Sequence, residues 1–264
     1  MKTTIKVRNS IIAGLLLIVL GAFCAFADDR DESDVFLSWD KAQVYVPGSS
    51  KAITPDKVKV HKPAPVVIYL HGCAGFNSES ANWGEYLSSI GYIVVQPDSF
   101  AWRTESNCDT KTKKFGAFPK AHSMRQQEIR FALDAAGKSS WADRNNIFLM
   151  GFSEGGTAAA RTKLTGFSGI IITGWRCTNA KNPNFDGIFA PKETPILTVE
   201  WNKDDWQNDA TKGSCSDKFG DRPKATQLLL PGNGHPVFDQ AKARDAVEKF
   251  LKENLKQNID QANK

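Results

Sequence analysis

The chain is poor in the residues that carry metal chemistry. It holds 4 histidines and 5 cysteines in 264 residues, and no two cysteines are spaced Cys-x-x-Cys, so nothing points to a zinc site. The apolar run near its start, Ile11 to Phe23, is shorter than the about 20 residues that a transmembrane helix needs. Lysines are scattered through "TKTKK" and the C-terminal segment and form no basic stripe interleaved with aromatics, which argues against nucleic acid as a partner. Internal repeats and a Pro/Gly/Ser-rich linker are also missing, so a second domain is not expected.

The N-terminus carries Lys2, Lys6 and Arg8, then the apolar run, then Ala25-Phe26-Ala27 ahead of Asp28-Asp29. A basic start, a short apolar core and an A-x-A ending describe a secretory signal peptide over residues 1–27. Cys24 follows Phe23, where a lipoprotein signal has a small residue, so no lipid anchor is expected and the mature protein is expected in the periplasm or the medium. Of 264 residues, removal of 27 leaves 237, enough for one α/β domain over 28–264 with a large core. The net charge of +5 includes three signal residues, so the mature chain is only mildly basic.

Cleavage also removes Cys24 and leaves Cys73, Cys108, Cys177 and Cys215. An even number in an oxidising compartment implies two disulfides. Three pairings are possible. Cys73 with Cys108 and Cys177 with Cys215 is favoured, because each pair lies among loops that should meet at one end of a sheet. Each bridge would close a loop of nearly forty residues, worth about 4 kcal/mol in the chain-entropy model.

Apolar runs alternate with helical periods. "SWDKAQVYVPGSS" reads as a short strand, and 66–70, 92–96, 147–150, 169–173, 196–199 and 227–230 read as buried strands. Residues 81–90, 123–136 and 239–255 read as helices. In the second, Ser123 and Gln126 fit a capping box; in the third, Ala243, Val247, Phe250 and Leu251 share one face. This order predicts a mostly parallel sheet covered by helices on both faces. Residues 99–121 and 178–194 fit no element and are long enough to be binding loops at the C-terminal ends of strands.

One stretch stands out: "IFLMGFSEGGTAAAR", a buried strand followed by Gly151-Phe152-Ser153-Glu154-Gly155. Gly-x-Ser-x-Gly suits a strand-to-helix turn so sharp that only residues lacking a Cβ fit beside the serine. A serine hydroxyl becomes a nucleophile only with a base and an orienting acid. His235, in "LLLPGNGHPVFD", is the one histidine after Ser153, and Pro231 to Gly234 are expected to present it on a tight loop. "PILTVEWNKDDW" supplies the acid: Asp204 is preferred, Asp205 is the close alternative, and Glu200, within or at the end of the strand, is less favoured. The backbone amides of Cys73, in the glycine loop His71 to Gly75, and of Glu154 are the expected oxyanion donors. Trp83, Trp102, Trp175, Trp201 and Trp206 are read chiefly as packing, with one or two lining a pocket; Arg103 and Arg176 are read chiefly as surface ion pairs, with substrate carboxylate as the alternative.

Taken in order, "VVIYLHGCAG", "VVQPDSFAWR", "IFLMGFSEGG", "PILTVEWNKDD" and "LLLPGNGHPVFD" resemble the α/β-hydrolase superfamily, and within it secreted dienelactone-hydrolase-like proteins, over about residues 64–255. The resemblance implies an α/β-hydrolase fold, with Ser153 as nucleophile, Asp204 as acid and His235 as general base. Dienelactone hydrolases proper carry cysteine at the elbow, where this chain has Ser153. The expectation is a serine hydrolase for a small-molecule carboxylic ester or lactone, with no cofactor or metal. A peptidase or acyltransferase on the same residues, or a binding protein with this fold, stays open, as does the oligomeric state.

Overall fold

The computed structural model describes residues 29–208 and 211–257, so the expected signal peptide lies outside the described residues. In chain order the elements are α1 (Asp29–Asp40), β1 (Gln43–Tyr45), β2 (Ala64–Leu70), α2 (Ser78–Ser89), β3 (Ile93–Gln96), β4 (Cys108–Asp109), β5 (Lys114–Phe115) and α3 (Ala121–Lys138), followed by β6 (Ala142–Phe152), α4 (Glu154–Arg161), β7 (Gly169–Thr173), β8 (Ile196–Asp204), β9 (Ala225–Gly234) and α5 (Ala241–Glu253). Seven strands form one sheet in the order β1-β3-β2-β6-β7-β8-β9, while β4 and β5 make a separate small hairpin. Only β1 runs antiparallel to its neighbour in the large sheet.

The central strands β2, β3 and β7, with 147–152 of β6 and 196–200 of β8, are buried on both faces, which explains why they read as continuous apolar runs, while the edge strand β9 is largely exposed. Alternate residues divide between two cores. Val66, Ile68, Leu149 and Ile170 pack with Ile129 of α3 and Ala158 of α4 on one side. On the other, Val67, Phe148 and Ile171 pack with Trp83 and Leu87 of α2 and with Val247 and Leu251 of α5.

Three expectations need correction. "SWDKAQVYVPGSS" is not one strand, since Ser38 to Asp40 end α1 and only Gln43–Tyr45 is extended. The Ser123/Gln126 capping box does not form: α3 begins two residues earlier, Ser123 Oγ donates to the Lys120 carbonyl (2.8 Å), and Gln126 Nε2 reaches across to the Ala158 carbonyl (2.9 Å). The box belongs to α2 instead, where Asn77 and Ser80 satisfy each other's backbone N–H groups. Third, neither Arg103 nor Arg176 forms a surface ion pair: each meets a buried carboxylate, Glu154 and Glu200 respectively.

Arg103 is part of a buried charge cluster that joins four segments. Its Nη2 lies 2.5 Å from Glu154 Oε1, and Arg125 Nε on α3 lies 3.0 Å from the same oxygen. Arg125 also pairs with Glu128 (3.1 Å) and donates to the His71 carbonyl (2.7 Å). Ser99 Oγ and Trp102 Nε1 donate to Glu128 from the turn after β3. Burial opposes charge on Glu154, but Arg125 and Arg103 outweigh it and hold the carboxyl at about 2.

Replacing Ile171 with Ala is expected to cost about 2–5 kcal/mol in urea denaturation, against less than about 0.5 for Leu229→Ala, whose side chain is 45% exposed. Glu154→Gln is expected to lose about 3 kcal/mol at pH 7 by the same measurement. The folded-state pKa of Glu154 is depressed from its ordinary 4.5, so its contribution is complete above that pH and fades as pH falls toward about 2. The gap between wild type and Glu154→Gln should therefore close over that window; a gap constant from pH 5 to 2 would contradict the ion-pair account.

Candidate active site

Ser153 occupies the turn between β6 and α4 at φ 57°, ψ −115°, a strained conformation for a residue with a side chain. The flanking glycines make the turn possible. A Cβ on Gly151 would collide with the Gly155 carbonyl, and one on Gly155 with the Leu70 carbonyl of the neighbouring strand. Ser153 N–H donates to the Thr173 carbonyl (2.9 Å), and Thr157 N–H closes the first turn of α4 on the Ser153 carbonyl (2.8 Å).

Asp204 is the last residue of β8 and His235 follows the last residue of β9. The stretch Pro231 to Gly234 is thus not the tight loop expected. It continues β9, with a bulge: Trp201 pairs with Leu230, but Lys203 pairs with Asn233. Gly232 takes φ +95° there, and Pro231 is tolerated because β9 is an edge strand. Pairing then resumes with Asp204 opposite Gly234, which sets the aspartate beside the next residue of the partner strand. Trp201 backs this end of the sheet, donating Nε1–H to the Pro236 carbonyl (2.8 Å).

His235 Nδ1 lies 2.9 and 3.0 Å from the two Asp204 oxygens, and its Nε2 lies 2.9 Å from Ser153 Oγ. A carboxylate at Nδ1 fixes the proton there and leaves the Nε2 lone pair facing the serine hydroxyl. The imidazole is 11% exposed and packs against Phe152 and Trp206, with ring centroids at 4.9 and 5.4 Å. Asp204 also accepts the Trp206 N–H (2.8 Å). The other two acids are elsewhere. Asp205 pairs with Lys113 (2.9 Å) in solvent, and Glu200 is buried against Arg176 (3.0 Å), where burial pushes its carboxyl up to about 7 despite that partner.

The glycine loop lies against Ser153, since a Cβ on Gly72 would be 3.4 Å from that of the serine. His71 is buried and held neutral by burial, with Arg125 beside it adding to the effect. Its Nε2 accepts the Ser99 N–H (3.3 Å), so Nδ1 donates to the Gly72 carbonyl (2.7 Å) and braces the loop. The next residue, Cys73, is bonded to Cys108, and Ser106 Oγ donates to its carbonyl (2.9 Å). A second disulfide, Cys177 to Cys215, ties the chain after β7 to the chain beyond β8.

A cavity of about 440 Å³ opens above Ser153. Both unassigned segments of the sequence wall it, Asn107, Phe115 and Pro119 from the first and Asn179, Asn182 and Phe185 from the second, together with His122 and Trp175. Cys73 and Glu154 line it beside Ser153. Of the tryptophans, Trp175 and Trp206 reach it, Trp83 is core and Trp102 is bonded to Glu128. The β4–β5 hairpin overhangs the mouth. Phe115 stacks on Trp206 (5.8 Å, 7°), next to the Lys113–Asp205 pair. Arg103 is committed to Glu154, whereas Arg176 lines the cavity, pairs through Nε with Glu200 and donates to the Gly213 and Trp201 carbonyls. His122 and Phe115 were not among the sequence candidates. A histidine opening a helix and a phenylalanine in a Lys/Thr-rich loop carry no local pattern that marks a pocket.

No protein-family model and no curated protein matches the chain. Solved structures do. An S-formylglutathione hydrolase from Agrobacterium tumefaciens aligns with TM-score 0.57 at 16% identity over 81% of this chain and 90% of its own. Est1E from Butyrivibrio proteoclasticus gives 0.54 at 14% over 81% and 93%. The Pyrococcus horikoshii acylaminoacyl peptidase gives 0.59 at 16% over 82% of this chain but 39% of the peptidase. With a mostly parallel seven-stranded sheet and a serine elbow between β6 and α4, these likenesses identify the chain as having the α/β-hydrolase fold.

Proposed function

We propose that the protein is a secreted serine hydrolase that cleaves a carboxylic ester or lactone through an acyl-enzyme. The observation that carries this reading is His235, which bridges Ser153 Oγ at one ring nitrogen and Asp204 at the other. In the proposed reaction Ser153 Oγ bonds to the carbonyl carbon as His235 Nε2 takes its proton, and Asp204 stabilises the imidazolium. The Cys73 and Glu154 amides donate to the oxyanion, a contribution of about 3 kcal/mol for each such donor. His235 returns the proton to the departing alcohol. Water then adds to the acyl carbon with the same base, and the Oγ–acyl bond breaks. No step calls for a metal or organic cofactor. Two disulfides support an oxidising compartment, in keeping with a signal peptide over residues 1–27 and a single domain over 28–264.

The likeness to an acylaminoacyl peptidase favours a second reading, amide hydrolysis on the same residues. Parallel assays of p-nitrophenyl butyrate and acyl-amino-acid p-nitroanilides separate the two.

Ser153→Ala and His235→Ala are each expected to lower kcat/KM for p-nitrophenyl butyrate by about 10⁴-fold or more, and Asp204→Asn by about 10³ to 10⁴. Asp205→Asn should stay within about threefold of wild type, because its carboxylate meets Lys113 and not the imidazole. A fluorophosphonate should label wild type and not Ser153→Ala. Equal losses for Asp204→Asn and Asp205→Asn would remove the assigned acid. Wild type that neither labels nor turns over would leave a binding protein with this fold.

A further inference from the structure

Most of the charged side chains that line the cavity are matched within the protein. Glu154 sits between Arg103 and Arg125, Asp204 is on His235, and burial holds His122 uncharged by lowering it to about 4. Arg176 is the exception.

Its guanidinium is fixed but not neutralised. Nε donates to the Gly213 carbonyl (2.6 Å) and Nη1 to the Trp201 and Asn202 carbonyls (2.6 and 3.2 Å). Nη2, in a side chain that is 12% exposed, has no hydrogen-bond partner among the described residues and is not buried. Glu200 Oε2 lies 3.0 Å from Nε, but the single Nε hydrogen goes to Gly213, so that oxygen receives no hydrogen bond. Nor is the charge on Glu200 complete. Its Oε1 accepts from the Cys215 N–H and from Gln227, yet burial, with Asp204 adding to it, outweighs these and Arg176 and pushes the carboxyl up to about 7. Near neutral pH Arg176 is therefore a cation with an incomplete counter-charge and an unengaged N–H group in the cavity lining. Held in place by carbonyls, it receives an anion with little further ordering. The nearby wall does not compete: Asn179 and Asn182 give their Oδ1 atoms to backbone N–H groups (3.1 Å each), so each has only N–H left to offer.

Strand order says which part of a substrate meets this cation. The glycine loop with Cys73 follows β2, on one side of Ser153. Arg176 follows β7, on the other side, and its partners Trp201 and Asn202 belong to β8, which ends at Asp204. Gly174, two residues earlier, lies against the His235 ring, where a Cβ would be 3.4 Å from Cε1. A departing alcohol takes its proton from His235 and so leaves on the Arg176 side.

We infer that the alcohol part of the substrate carries a carboxylate, received by Arg176 Nη2. The inference rests on the proposed ester hydrolysis at Ser153. It makes Arg176 a specificity-determining residue with no part in proton transfer.

Acid and amide pairs test it in a pH-stat at about pH 7.5. Butanoyl glycolate and 4-(butanoyloxy)butanoate place a carboxylate on the alcohol part at two reaches, monoethyl succinate places it on the acyl part, and each is paired with its uncharged primary amide. Each kcat/KM is divided by the ester's own hydroxide rate. In wild type the acid should exceed its amide by about 10–100-fold for at least one alcohol-side pair, the yield of a charge-assisted hydrogen bond, and should show no advantage for the succinate pair. Arg176→Gln should bring the alcohol-side ratio to about one or below. Glu200→Gln removes the partial counter-charge and should raise that ratio about threefold or more, which keeps the test open if Arg176→Gln fails to fold. Alcohol-side ratios of one or less in wild type, ratios unmoved in both variants, or a larger ratio on the succinate pair would overturn the inference while leaving hydrolysis intact. Calorimetric binding of 4-butanamidobutanoate and 4-butanamidobutanamide to Ser153→Ala, with and without Arg176→Gln, repeats the ranking without turnover. If no ester is cleaved but the acid still binds more tightly through Arg176, the recognition stands and the catalytic reading falls.

Discussion

A carboxylate buried one residue after the elbow serine organises this end of the molecule. Glu154 opens α4 with its side chain in the interior, and an ion there is tolerated only if it is neutralised and hydrogen-bonded on the spot. Arg103 and Arg125 neutralise it, both through Oε1, and each brings its own segment: the turn after β3 and the start of α3. Arg125 in turn holds Glu128 and the His71 carbonyl, so the glycine loop after β2 joins the same cluster. The loop beside Ser153 is therefore positioned by electrostatics within the core.

The opposite side of the site is positioned by strand register. Sheet pairing of β8 and β9 carries on through a bulge until Asp204 faces Gly234, and His235 is the next residue. A bulge adds one residue to one strand only, and here it shifts which side chain of β9 meets the end of β8. Serine on its turn, histidine past the edge strand and aspartate at a strand end thus meet by backbone geometry alone, with the flanking rings of Phe152 and Trp206 confining the imidazole.

Much of this was legible in the sequence because parallel strands buried on both faces leave an unbroken apolar signature, and because a glycine-flanked serine has few other uses at a strand end. The expected ranges for β7 and α5 lie on or within two residues of the observed ones. What escaped was set by contacts between distant segments. Pro231 to Gly234 carries turn residues, and only pairing with β8 makes it a strand. Arg103 reads as a surface ion until Glu154, fifty-one positions later, is seen beside it. Ser123 and Gln126 have the spacing of a cap, but α3 begins two residues earlier and places both inside the helix, with Gln126 Nε2 donating to α4. The hairpin over the cavity is two residues per strand, too short for any alternation to show.

That hairpin is fastened unequally at its two ends. Its base is held by the Cys108–Cys73 bond and by Phe115, which pairs with Cys108 and stacks on Trp206, whereas its tip rests on a solvent-exposed ion pair, Lys113 to Asp205. A load at the tip therefore falls on a contact worth little in water, while the Phe115 ring and the Cys73 backbone are both fixed at the root. The aromatic rim of the cavity and the floor beside Ser153 thus share one covalent anchor, so the width of the mouth and the geometry around the serine are mechanically tied.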